Sequence, residues 1–193
     1  MAEQIILNEE PDETLSMEPK KFILWLFIVS IIMIFASQTS AYLVRRAEGN
    51  WVEFEIPPIF YYSTFVLLLS SITMHFAYFS AKKDNFNALR VAISITFVLG
   101  MTFLYMQFQG WKDLVTQNVY FVGNPSGSFF YVFTGLHGFH LISGIIVLGV
   151  TFVSAFQLKV HAKALRRIEI CTTYWHFLDI LWIYLLVFLI YFR

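Results

Sequence analysis

The sequence predicts an all-α fold, a polytopic membrane bundle of five transmembrane helices with the N-terminus cytoplasmic and the C-terminus outside. Three observations carry that prediction. The chain of 193 residues is 58% hydrophobic and 19% aromatic but only 13% charged, where a soluble domain carries about 25% charge. Its apolar residues fall in five long stretches, and about 20 helical residues suffice to cross a bilayer core roughly 30 Å thick. Its charges sort to the ends of those stretches. The same arithmetic excludes other classes. Thirteen Lys+Arg balance thirteen Asp+Glu, so bulk positive charge does not make the chain a nucleic-acid binder. A single cysteine, Cys171, leaves no internal disulfide and no multi-cysteine metal site.

Residues 1–21 hold six of the acids, Glu3, Glu9, Glu10, Asp12, Glu13 and Glu18. They read as an acidic, mobile cytoplasmic tail or a short docking segment. A signal peptide would be basic here. Residues 22–193 form the transmembrane domain. Span one covers about 22–44 behind Lys20 and Lys21, and its Ala36, Ser37, Ser40 and Ala41 predict close helix packing. Span two covers about 59–81, with Thr64, Leu68, Ser71 and His75 on one face. Span three covers about 88–109, with Gly100, Phe103 and Gln107 aligned. Residues 112–127 read as an outside loop whose Asn124-Pro125-Ser126-Gly127 is turn chemistry. Span four covers about 128–157, and some 30 residues reach about 45 Å, so it tilts or projects past the hydrocarbon. His137, His140 and Gly144 share one of its faces, and Gly135, Gly138 and Gly144 predict close packing. Span five covers about 171–192, with Thr172, His176 and Asp179 on one face.

Basic residues set the orientation. Lys20, Lys21, Lys82, Lys83, Arg90, Lys159, Lys163, Arg166 and Arg167 lie on one side; Arg45, Arg46, Lys112 and Arg193 lie on the other. The richer side is cytoplasmic. Trp51, Tyr61, Tyr62, Trp111 and Tyr120 fall near the outside boundary, as an aromatic belt would.

An ionisable group in hydrocarbon costs on the order of 3 kcal/mol by insertion scales, so the polar residues inside the spans carry the functional reading. They are Thr64, His75, Gln107, His137, His140, His176 and Asp179. The main reading is a buried polar network or a contact surface for lipid or another subunit. Haem ligation by His140 and His176 on facing helices, a lipid head-group site and a proton-linked carboxyl are the alternatives. Asp179 is either neutral or paired, with His176 its nearest partner in sequence; no Lys or Arg lies mid-span. No nucleophile elbow, P-loop, dinucleotide fingerprint or H-E-x-x-H is present. Nothing assembles a catalytic site or a metal site on this chain alone.

Two segments carry a family resemblance. Phe129-Phe130 with Thr134-Gly135-Leu136-His137-Gly138-Phe139-His140 and Gly144 resembles the "FF…TGxHGxH…G" signature of subunit III of haem–copper cytochrome oxidases. Tyr174 to Trp182, with Glu169 seven residues before His176, looks like that family's "YWHFVDVVW" helix. Ser63-Thr64 with Leu67, Leu68 and Ser70, and Leu99-Gly100 with Phe103 and Gln107, are similar to two further family helices. The sequence departs from the pattern at Ser63, usually Asn, and at Gly110, where Glu is common.

The resemblance implies a bacterial five-helix subunit III, without its own redox centre, in the cell inner membrane. It implies packing on oxidase subunit I, with subunit II and a small subunit IV as further partners. Haem and copper would sit in those partner subunits, and no cofactor on this chain. Bound phospholipid and support for sustained turnover and proton uptake also follow, while membership of a larger respiratory assembly stays open. A quinol oxidase or nitric-oxide-reductase accessory role on the same fold is the alternative.

Overall fold

The computed structural model describes residues 19–157 and 161–192. Five helices follow one another: α1 Pro19–Ala47, α2 Ile59–Lys82, α3 Phe86–Thr116, α4 Pro125–Gln157 and α5 His161–Phe192. Each is long and apolar enough to cross a membrane. No strand occurs among the described residues. Residues 1–18 of the acidic segment and Lys159 lie outside the described residues, as does the side chain of Lys163.

The helices overrun the apolar stretches. α3 continues through Lys112 and Asp113 to Thr116, so the connection to α4 shrinks to 117–124. α5 begins at His161, ten residues before Cys171. The reason is physical: apolar content marks where lipid begins, whereas a helix ends where its capping chemistry does. Helices of 31, 33 and 32 residues in α3, α4 and α5 reach about 46–50 Å, well past a hydrocarbon core of about 30 Å. Asn124-Pro125-Ser126-Gly127 is likewise the start of α4. Asn124 Oδ1 accepts the Ser126 N–H at 2.9 Å, and Pro125 sits where a helix has an N–H to spare.

α2 and α3 form a tight hairpin. Asp84 adopts a left-handed φ of 53°, and Asn85 caps α3 by accepting the Ala88 N–H at 3.2 Å. Around this hairpin the helices close a ring in which α2 meets α3, α3 meets α4, α4 meets α5 and α5 returns to α2. α1 lies outside the ring against α4 and α5. α5 is therefore the most enclosed helix. Its Trp175, Leu178, Trp182 and Leu185 are buried, and Trp175 and Trp182 reach across the ring to Gly100 and Phe103 of α3.

α1 packs differently from the expectation. Ile28, Ile31, Phe35, Thr39 and Tyr42 are its buried residues, a bulky stripe at helical spacing. Ala36, Ser37, Ser40 and Ala41 are exposed, so the small residues of span one face away from the bundle. Tyr42 is the anchor of this face. Its ring meets Trp51, Phe129, Phe133 and Phe188, and its hydroxyl donates to the Phe192 carbonyl at 3.0 Å.

The tight glycines are also partly others than expected. A Cβ on Gly144 would stand 2.8 Å from Leu178 Cδ1, and one on Gly100 would stand 2.8 Å from Trp175 Cη2. Gly135 meets Trp111 only at ordinary contact distance, 3.8 Å, and Gly138 meets nothing within 4 Å. Of the three packing glycines expected on α4, Gly144 alone is forced by close approach within this chain.

Candidate functional site

The polar residues inside the bundle form a seam built on one repeated device. A hydroxyl in a helix donates its single hydrogen to a carbonyl of its own helix and keeps lone pairs for a neighbour. Ser63 donates to the Phe60 carbonyl and accepts from Gln107 Nε2 at 3.0 Å. Thr64 donates to the same carbonyl and accepts from Trp182 Nε1 at 2.9 Å. Ser70 donates to the Leu67 carbonyl and accepts from Trp175 Nε1 at 3.1 Å. Thr134 donates to the Phe130 carbonyl and accepts from Trp111 Nε1 at 3.0 Å. These bridges tie α2 to α3, α2 twice to α5, and α3 to α4.

Thr64 and Gln107 thus each bond across helices, and Ser63, where the family pattern usually has Asn, accepts from the Gln107 amide. The three tryptophan donors were not foreseen. The available signal was that a buried indole N–H seeks an acceptor and that hydroxyl residues lie on the facing helices.

The histidines divide. His137 is fully buried against Phe103 and Trp182, and neither ring nitrogen has a hydrogen-bond partner. His140 turns toward α1, with its ring by Phe35 and its Nδ1 2.8 Å from the Leu136 carbonyl. A carbonyl only accepts, so Nδ1 carries the proton. Beside it, Ser143 donates to the His140 carbonyl, which leaves the Tyr174 hydroxyl to donate to Ser143 at 2.7 Å. His176 turns the other way, toward α2. Its Nδ1 lies 2.7 Å from Ser71 Oγ, and its ring centroid is 5.8 Å from that of His75. His140 and His176, the candidate pair of facing ligands, therefore address different helices. No group of three His, Cys, Asp or Glu is placed to hold a metal among the described residues.

Asp179 is 3% exposed and neither carboxylate oxygen has a hydrogen-bond partner. Its neighbour at ion-pair distance is His176, Nδ1 to Oδ2 4.0 Å. His75, expected in a buried network or at a lipid or subunit contact, is exposed on α2, in ring contact with Phe79 and His176. Glu169 lies apart from this cluster. It receives the Lys21 ammonium at 2.9 Å and clasps the start of α1 to α5 with both partners partly exposed. Thr172, on the same face as His176 and Asp179, is buried with its hydroxyl unpartnered.

The arrangement holds helices together through hydroxyl-centred bonds between α2, α3, α4 and α5. A family model described as cytochrome c oxidase subunit III matches residues 13–193.

The chain belongs to the cytochrome c oxidase subunit III family.

Relatives agree over most of their length. A subunit 3 of cytochrome c oxidase from Thermostichus vulcanus is 32% identical over 170 residues, covering 84% of this chain and 82% of the relative. That from Bacillus sp. (strain PS3) is 26% identical over 182 residues, 91% and 87% of the two chains. Subunit 3 of a cytochrome bo(3) ubiquinol oxidase from Buchnera aphidicola subsp. Schizaphis graminum is 29% identical over 168 residues, 85% and 89%. Set against the family assignment, the seam is the interior of an oxidase subunit III, and the two motifs that resemble the family lie on α4 and α5, which face each other across Gly144.

Proposed function

We propose that this chain is the non-redox subunit III of a bacterial proton-pumping cytochrome c oxidase. It lies in the cell inner membrane with its N-terminus cytoplasmic, packs on subunit I, holds phospholipid and supports sustained turnover and proton uptake. The observation that carries the reading is what four residues of the family-like segments do in this fold: they make helix-to-helix bonds. Trp175 and Trp182 bond hydroxyls of α2, Gln107 bonds Ser63, and Glu169 bonds Lys21. Oxygen chemistry then belongs to haem and copper in partner subunits, and this chain supplies a rigid neighbour for them.

A second reading has support of its own. The ubiquinol oxidase relatives match as much of the chain as the cytochrome c oxidase ones do, so the electron donor could equally be a quinol. The near-infrared band of a copper-A centre in the purified complex separates the two: its presence gives cytochrome c, its absence quinol.

Oxidase stripped of this chain tests the supporting role. The account predicts oxygen consumption that starts at the rate of the intact complex and then decays over fewer turnovers, with the lifetime restored when the chain is added back. An unchanged lifetime contradicts it.

A further inference from the structure

We infer that the start of α1, Pro19 to Phe27, is a latched arm that swings about Ile28 and is closed by the Lys21–Glu169 ion pair over a gap between α1, α4 and α5. The device lies within this chain and is independent of which oxidase the chain serves.

Packing is the first argument. α1 meets only α4 and α5, and its buried stripe begins at Ile28 and ends at Tyr42. No residue from Pro19 to Phe27 is buried. Beneath this arm lies a gap of about 360 Å³, walled by Ile23, Leu24, Phe27, Val147, Ile170 and Tyr174. Acyl chains are as apolar as leucine, so a helix in lipid is held by close packing and hydrogen bonds, not by escape from water. Over the gap that close packing is missing.

Fastening is the second. Lys21 Nζ donates to Glu169 Oε1 at 2.9 Å, with the two side chains 37% and 42% exposed. A ring contact joins it, Phe27 to Tyr174 at 5.7 Å between centroids. A partly exposed ion pair is a weak fastening, and salt screens it. The far end of α1 is fastened otherwise. There Tyr42 meets four rings, and its hydroxyl donates to the Phe192 carbonyl. The two ends therefore differ in what opens them.

The hinge is the third. Ser30 Oγ donates to the Phe27 carbonyl at 2.7 Å, the carbonyl that a regular helix pairs with the N–H four residues on. Such side-chain bonds compete with the backbone ladder and bend helices. This one falls at the step from the unburied arm to the buried stripe. Opening there uncovers the gap and the Tyr174 hydroxyl on its wall, which bonds Ser143 at 2.7 Å.

The test uses the full chain, with the subunits that co-purify, in lipid nanodiscs. Spin labels on Leu26→Cys and Val150→Cys read the arm, and labels on Val44→Cys and Val132→Cys read the far end. All four positions are exposed, and Cys171 is buried. Glu169→Gln should raise the ratio of long to short distances at the arm by roughly two- to five-fold, the range that a partly exposed ion pair covers, and leave the far end unchanged. High salt should do the same to the unsubstituted chain and nothing further to Glu169→Gln. Lys21→Glu combined with Glu169→Lys should restore the short distances, and Ser30→Ala should reduce the long ones. An arm distribution that ignores both Glu169→Gln and salt would overturn the inference, and so would a far-end pair that lengthens in step with the arm.

Discussion

Each buried hydroxyl of the seam serves two helices, and that double use decides what substitution costs. Ser63→Ala removes the acceptor for Gln107 Nε2 and leaves an amide buried without a partner, whose Oε1 is already unpartnered. Stranding a buried amide donor costs about 1–3 kcal/mol, although helix-to-helix bonds in lipid average nearer 0.6 kcal/mol. Unfolding in mixed detergent should show Ser63→Ala destabilised by about 1 kcal/mol. Ser63→Ala combined with Gln107→Leu should cost less than the sum of the two single changes, because the shared bond is lost only once. Strict additivity would show that the bond carries no energy. At this scale the sequence was partly legible. Thr64, Gln107 and His176 are recognisable as inward polar residues from helical spacing alone. His75 shares its spacing with Thr64 and Ser71 yet lies exposed on α2, where it can serve only the contact-surface half of the expectation. Glu169 was legible as a motif residue but its partner, Lys21, is 148 positions away, and no local pattern links them.

For the helices, hydropathy located five elements, and each helix runs past the apolar stretch that marked it. Lys112, Asp113, Arg166 and Arg167 read as loop residues because they are charged, yet charged residues are compatible with helix once the chain has left the hydrocarbon. Packing faces were harder still. Small residues on α1 and α4 suggested close approach, but closeness depends on what stands opposite. Gly100 and Gly144 face Trp175 and Leu178, whereas Gly138 faces nothing in the chain. Gly100→Ala should therefore destabilise the purified chain by about 1–3 kcal/mol, as overpacking against a rigid indole does. Gly138→Ala should be neutral or stabilising by up to about 1 kcal/mol, since alanine favours helix. Equal effects at the two positions, measured by thermal unfolding in detergent, would contradict the packing described.

At the scale of the whole molecule, the account joins a four-helix ring, an outlying α1 and an uneven distribution of basic residues. The neutral total conceals that distribution, because the six acids of 1–21 offset basic residues elsewhere in the sequence. With Cys171 buried, single cysteines introduced by substitution can report orientation. A membrane-impermeant maleimide added to whole cells stripped of outer barriers should label Gly123→Cys, in the α3–α4 connection, and should label Asp84→Cys, in the α2–α3 turn, only after the membrane is opened. The reverse pattern would invert the bundle.

The central claim is that this chain works as a non-redox member of a haem–copper oxidase. The polypeptide and haem content of material purified through a tag on the chain tests it most directly. The account predicts that subunits I and II accompany the chain and that the complex shows haem absorption and oxygen consumption, while the chain freed of its partners is colourless. A Soret band on the isolated chain, or purification without any haem–copper subunit, would contradict it.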